Sequence, residues 1–315
     1  MYMENKCNRN GSIDALRIIM ALFVVTNHSM VFDKLTHDVL AMAVPVFYII
    51  TGYFLGGHDY DRECKIVKRQ LIKITRILLW SYLLYAIFHV IYCQISGKHM
   101  MFNLSTLWTC CNNFGDPLWY LHTYAYMLLC VILMHKCQFH MSKLIKPTTI
   151  ISIILSAYIL SHVECIPELI KRVYCHAFAF VIVGQSLKQY EHIWKTHLKK
   201  WHLIVCLFGL ATIGVLNGIY LIDRMTYSIV TWLLAMNALM LFCKLNIQNK
   251  HWLAKLGREY SLYVYIFHWM FVVILTPISY HYPPYIRLLY PIILFAITLL
   301  FSVVYKRIYN LLFKC

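Results

Sequence analysis

Acidic residues are scarce in this chain: 13 Asp and Glu stand against 29 Lys and Arg, and charged side chains make up only 13% of its 315 residues. So little charge beside 61% hydrophobic residues excludes an ordinary soluble globular domain. Signatures of metal and hydrolase chemistry are missing too. The 12 cysteines show neither C-x-x-C nor C-x-x-C-H spacing, so neither a zinc ribbon nor c-type haem attachment is signalled. No H-E-x-x-H marks a metalloprotease, and no G-x-S-x-G marks a serine hydrolase. Repeats and low-complexity stretches are lacking as well. The longest connections between apolar segments, 56–75 and 97–116, are too short for an independent core, so a single domain over 1–315 is expected.

What the chain has in abundance is apolar length. Windows matched to bilayer thickness predict an all-α, polytopic membrane bundle. Helices are expected near 13–33, 38–55, 76–96, 117–135, 148–163, 172–187, 202–221, 226–243, 259–279 and 287–305. Cytoplasmic loops retain Lys and Arg during insertion. With ten spans and both termini cytoplasmic, only Lys34, Lys98, Lys171, Arg172, Arg224 and Arg287 of the 29 basic residues fall outside the inner segments. The formal charge of +16 is then explained by topology and by anionic membrane lipid, and no nucleic acid partner is expected. The first apolar segment is too long, and too interrupted by charge, for a cleaved signal peptide. Cys110, Cys111 and Cys165 fall in outer loops, where a disulfide is permitted but not specified by spacing.

Within that first segment Arg17 and His28 stand eleven residues apart. Helical geometry puts them on one face with about 20° of offset and a rise of roughly 16 Å. Ionisable groups in lipid are costly, so a pair aligned along the membrane normal points to a transverse pathway. Asp14, three residues before Arg17, is placed either to orient the guanidinium or to cap the helix N-terminus, where acids are favoured, and capping is expected. Pro45 and Gly52 share a face of the second segment, consistent with close helix packing or a break beside a cavity. Lys65, Lys68, Arg69, Lys73 and Arg76 present cations at the inner surface, suited to a phosphate-bearing ligand.

Trp119, His122 and Tyr126 recur at i, i+3, i+7, as do Ser261, Tyr265 and His268 at i, i+4, i+7. An aromatic belt explains Trp119 equally well, and a structural hydrogen-bonded imidazole explains His122 and His268. The three histidines lack an identifiable carboxylate or thiolate partner, and no metal is expected.

Five blocks in order carry a resemblance to a known family. I-D-A-L-R-I-I-M-A-L-F-V-V-T-N-H, V-P-V-F-Y-I-I-T-G-Y, K-I-T-R-I-L, P-L-W-Y-L and L-G-R-E-Y-S-L-Y-V-Y-I-F-H resemble successive motifs of acyltransferase family 3, integral membrane enzymes that modify cell-surface glycans. Thr51 stands where the family usually has Ser, Lys73 replaces the first arginine of its basic motif, and Pro117 replaces a polar residue before Leu-Trp.

The resemblance implies an O-acetyltransferase of the cell membrane that takes acetyl-CoA from the cytoplasm. Arg17, Lys73, Arg76 and Arg69 are the implied cofactor-binding residues and His28 the catalytic one, acting as general base or as acyl carrier. Asp14, Trp119, His122, Ser261, Tyr265 and His268 are supporting or acceptor-side candidates. The implied acceptor is a hydroxyl of a surface polysaccharide or lipid-linked glycan. A transporter or flippase is the alternative, because broken helices and aligned polar positions also serve alternating access. It predicts internal pseudo-symmetry, and residues 1–155 and 156–315 show no paired pattern.

Overall fold

The computed structural model describes residues 10–29, 31, 37–97, 118–139, 141–220, 228–281 and 283–312. Every regular element among them is helical. The principal helices are α1 (Gly11–His28), α2 (His37–Ala41), α3 (Ala43–Leu55), α4 (Tyr60–Ser96), α5 (Leu118–Lys136) and α6 (Pro147–Ser161), followed by α7 (Ala179–Gln189), α8 (Glu191–His197), α9 (Lys200–Tyr220), α10 (Ile229–Leu245), α11 (Trp252–Ser279) and α12 (Tyr290–Leu312). A π-helical stretch, Lys171–Phe178, leads into α7.

Among the described residues, six helices are long and apolar enough to cross a membrane: Asp38–Leu55, Tyr60–Ser96, Leu118–Lys136, Lys200–Gly218, Trp252–Ser279 and Tyr285–Ile308. Helix occupies much of each of the ten expected segments, but length and apolarity alone assign only these six. Pro147–Ser161 and Ile229–Leu245 are apolar but shorter. The segment expected at 172–187 begins in π-helix and continues as α7.

One expected boundary moves substantially. The inner connection at 56–75 is largely helix, because α4 starts at Tyr60 and runs 37 residues, about 55 Å at the α-helical rise. The Asp59 side chain accepts from the Arg62 amide, Asp61 and Glu63 favour the first turn, and Gly97 ends the helix at φ 68°. All five cations from Lys65 to Arg76 therefore ride on one continuous rod.

Two close helix crossings hold the centre. A Cβ built at Gly257 of α11 would lie 1.7 Å from the Asp14 carbonyl oxygen of α1, so these backbones touch. On the other side α3 meets α7, where a Cβ at Gly52 would lie 1.9 Å from the Val181 carbonyl oxygen and one at Gly184 2.0 Å from that of Ile49. Gly52 is thus a packing glycine, as small residues in membrane bundles commonly are. The obstruction is backbone and cannot swing aside, so Gly52→Ala is expected to cost at least about 1–3 kcal/mol. A thermal melt of the purified protein should show a midpoint several degrees below the native one.

Candidate functional site

The site begins with a buried carboxylate. The α1 cap is taken by Asn10, whose side chain accepts from the Ser12 amide, so the capping role expected of Asp14 is already filled. Asp14 Oδ1 instead accepts from Arg17 Nη1 at 3.0 Å, and Arg258 Nη1 of α11 stands 3.9 Å from Oδ2. Only 5% of Asp14 is exposed, whereas both arginines are half-buried. A carboxylate inside the α1–α11 contact thus draws two guanidinium groups from different helices to one point. Phe54 of α3 underlies Arg17, its ring centroid 5.5 Å from the guanidinium carbon.

Arg17 and Arg258 line a cavity of about 230 Å³ together with Thr51 of α3, Lys73 of α4, Tyr120 and Tyr124 of α5, and Ser261 and Tyr265 of α11. Three cations against one carboxylate suit this cavity to an anion. Tyr124 donates to Gln70 Oε1 at 2.7 Å, and the Thr51 hydroxyl lies 3.4 Å from the Tyr124 oxygen. These bonds tie α3, α4 and α5 together behind the cations. The Ser261 hydroxyl donates to the Gly257 carbonyl of its own helix at 2.6 Å.

Beside the cavity runs a groove of about 410 Å³ lined by Arg69, Lys73, Arg76 and Trp80 of α4, by Tyr263 and Phe267 of α11, and by Tyr305 of α12. Lys73 lines both spaces. The four cations expected to hold the donor therefore divide: Arg17 and Lys73 share the inner cavity, whereas Arg69 and Arg76 face the adjoining groove.

His28 does not line that cavity. A row of aromatic rings leads to it from the cavity wall. Tyr120 and Tyr265 centroids lie 5.1 Å apart, Tyr265 and His268 5.8 Å, and His268 and His28 5.2 Å. Trp269 meets His28 edge-on at 5.3 Å. The α1–α11 contact that unites Asp14 and Arg258 near its start thus unites His28 and His268 further along.

The acyltransferase domain family matches residues 10–307, nearly the whole chain and every residue of this arrangement. The chain belongs to the acyltransferase family. An amino-acid racemase of Enterococcus faecalis is 38% identical over 91 residues, a match covering 25% of this chain and 13% of the racemase. That short overlap carries no racemase chemistry to this chain. No solved structure matches.

Two of the side chains expected on the acceptor side are engaged away from the cavity. The His122 ring meets the Tyr82 hydroxyl of α4, with ring centroids 5.1 Å apart. Trp119 lies beneath Arg172 of the π-helical stretch, the guanidinium carbon 5.1 Å from its ring centroid. Pro117, Cys110 and Cys111 lie outside the described residues, and Cys165 is exposed.

Sequence reasoning missed Arg258, Tyr120, Tyr124 and Gln70. A signal for Arg258 existed, since it precedes Ser261 by three residues and Tyr265 by seven and so shares their helical face. None existed for Gln70, whose partner comes from another helix.

Proposed function

We propose that this acyltransferase moves an acetyl group from cytoplasmic acetyl-CoA to a hydroxyl of a surface polysaccharide or lipid-linked glycan on the outer side of the cell membrane, in a bundle of ten spans with both termini cytoplasmic. The observation that carries this reading is the cationic cavity of Arg17, Lys73 and Arg258 joined to a half-buried imidazole by one row of aromatic side chains.

The residues present fit such a donor. Arg17, Lys73 and Arg258 are placed to bind phosphate oxygens, with Arg69 and Arg76 in the adjoining groove for its remaining phosphate. Asp14 fixes the direction of Arg17 before the ligand arrives, which lowers the ordering cost of binding. The roughly 16 Å rise from Arg17 to His28 is a length that an extended thioester arm can span.

At the far end His28 takes the proton of the acceptor hydroxyl as its oxygen attacks the thioester carbonyl. The carbon–sulfur bond breaks, the acetyl group remains on the acceptor oxygen, and the proton passes from His28 to the departing thiolate.

The deciding experiment places purified protein in proteoliposomes with labelled acetyl-CoA and an acceptor glycan. Label in the glycan supports the reading, whereas substrate movement with the thioester intact would support the transporter alternative. Removing one charge-assisted contact should weaken binding about 10–100-fold. Arg17→Ala is therefore expected to raise KM for acetyl-CoA by that order while lowering kcat less, as steady-state kinetics would show. Arg258 stays beside Asp14 in that variant, so the carboxylate keeps a cationic neighbour.

A further inference from the structure

His268 is fully buried on α11 and its two ring nitrogens are treated differently by the fold. Nδ1 lies 2.7 Å from the carbonyl oxygen of Tyr265. A carbonyl can only accept, so Nδ1 carries the hydrogen and the neutral ring presents a bare lone pair at Nε2. That Nε2 is buried and has no hydrogen-bond partner among the described residues. Leaving a buried acceptor unsatisfied is costly, so each such atom in a native fold calls for an explanation. The ring nearest to it from α1 is His28, at 5.2 Å between centroids and a 38° tilt. The α1–α11 crossing is held close by Gly257 against Asp14, and the same pair of helices carries the two imidazoles beside each other.

We propose that His268 is a positioning residue for the transfer reaction: its Nε2 accepts the N–H of His28, directly or through one water, and so holds the other His28 nitrogen as the lone pair that meets the acceptor hydroxyl. This rests on the acyl-transfer reading above. An acceptor at one His28 nitrogen favours the tautomer whose other nitrogen is the competent base. With it, the competent form is selected before substrate arrives, and the imidazolium formed during attack keeps a lone pair opposite its positive N–H. The hydroxyl proton goes to His28 and then to the thiolate, and His268 gains no proton in either step. A wrongly held tautomer in an otherwise intact site costs up to about 10⁴-fold in rate.

Two substitutions separate this role from packing. His268→Asn keeps an amide N–H for the Tyr265 carbonyl but has no atom at the Nε2 position. His268→Gln can set its carbonyl oxygen near that position. In proteoliposomes, His268→Asn is expected to lower kcat on the order of 10²-fold, with KM and the binding of acetyl-CoA within about threefold of the native protein. His268→Gln should recover to within about tenfold of the native kcat.

Native kcat in His268→Asn would overturn the proposal, as would equal losses in both variants with acetyl-CoA binding intact. Should His268→Asn fail to bind acetyl-CoA, His268→Gln decides alone: more than about a tenth of native transfer supports the role, and a lower rate with normal binding overturns it. Failure of the underlying reading looks different, because the native protein would then transfer no label or His28→Ala would transfer as well as native.

Discussion

His28→Ala protein is expected to bind acetyl-CoA and transfer none of its acetyl group. His28 closes α1, where the ring touches His268 and Trp269 without being sealed in the core. Truncation therefore removes a half-buried ring and leaves the α1–α11 backbone contact at Asp14 and Gly257 untouched. The cationic cavity is lined by other residues, so donor binding should stay within a few-fold of native. Loss of a positioned general base alone costs about 10²–10⁴-fold. Loss of an imidazole that carries the acetyl group would remove the route altogether. Labelled transfer in proteoliposomes, beside a binding measurement on the same preparation, checks both halves. Persistent transfer at native rate by His28→Ala would remove His28 from the chemistry.

Gly257→Val should do the most damage for the smallest change in composition. A Cβ at Gly257 would sit 1.7 Å from the Asp14 carbonyl oxygen and 2.7 Å from its carbon. Both atoms are helix backbone, so the two helices must separate. Overpacking typically costs about 1–3 kcal/mol and more where no side chain can yield. The separation would act on both ends of the site at once. Asp14 would lose its hold near Arg258, and His28 would move from His268. The expected outcome is a clearly lower thermal midpoint together with loss of acetyl-CoA binding and transfer. Gly209→Ala on α9 is the matched control. Nothing lies within 4 Å of a Cβ there, and alanine is the better helix former, so stability and transfer should stay native.

The two variants fail differently because of how the site is built. His28 contributes chemistry at the end of one helix, whereas Gly257 sets the distance between two helices that carry the site jointly. Kinetics and stability therefore separate in the first case and fall together in the second.

Much of the arrangement was legible in advance where it depended on one helix. Arg17 and His28 were paired by an eleven-residue spacing, and the structure does carry both on α1. Ser261, Tyr265 and His268 were grouped by helical spacing and all lie on the α11 face turned toward the site, the first two in the cavity wall and the third against His28. The same logic misled at Asp14. Three residues before an arginine and near a helix start, it satisfied both rules, and only the Asn10 side chain on the Ser12 amide shows which applies. It also misplaced the start of α4, because the polar first turns, Asp59 through Glu63, read as a loop when apolar length is the criterion. His122 and Trp119 obeyed the spacing rule as well, but their partners Tyr82 and Arg172 come from other elements.

Composition and periodicity by themselves determined that this protein is an all-helical membrane bundle and that Arg17 and His28 share a stripe. Those properties follow from transfer free energies and a 100° turn per residue, which act locally and are written along the chain. Only the tertiary structure decided that Arg258 joins Arg17 at one carboxylate, that Lys73 stands where cavity and groove meet, and that His268 faces His28. The first and the last depend on the depth at which α1 and α11 cross, and that depth is set by a glycine meeting a backbone oxygen on a helix more than two hundred residues away.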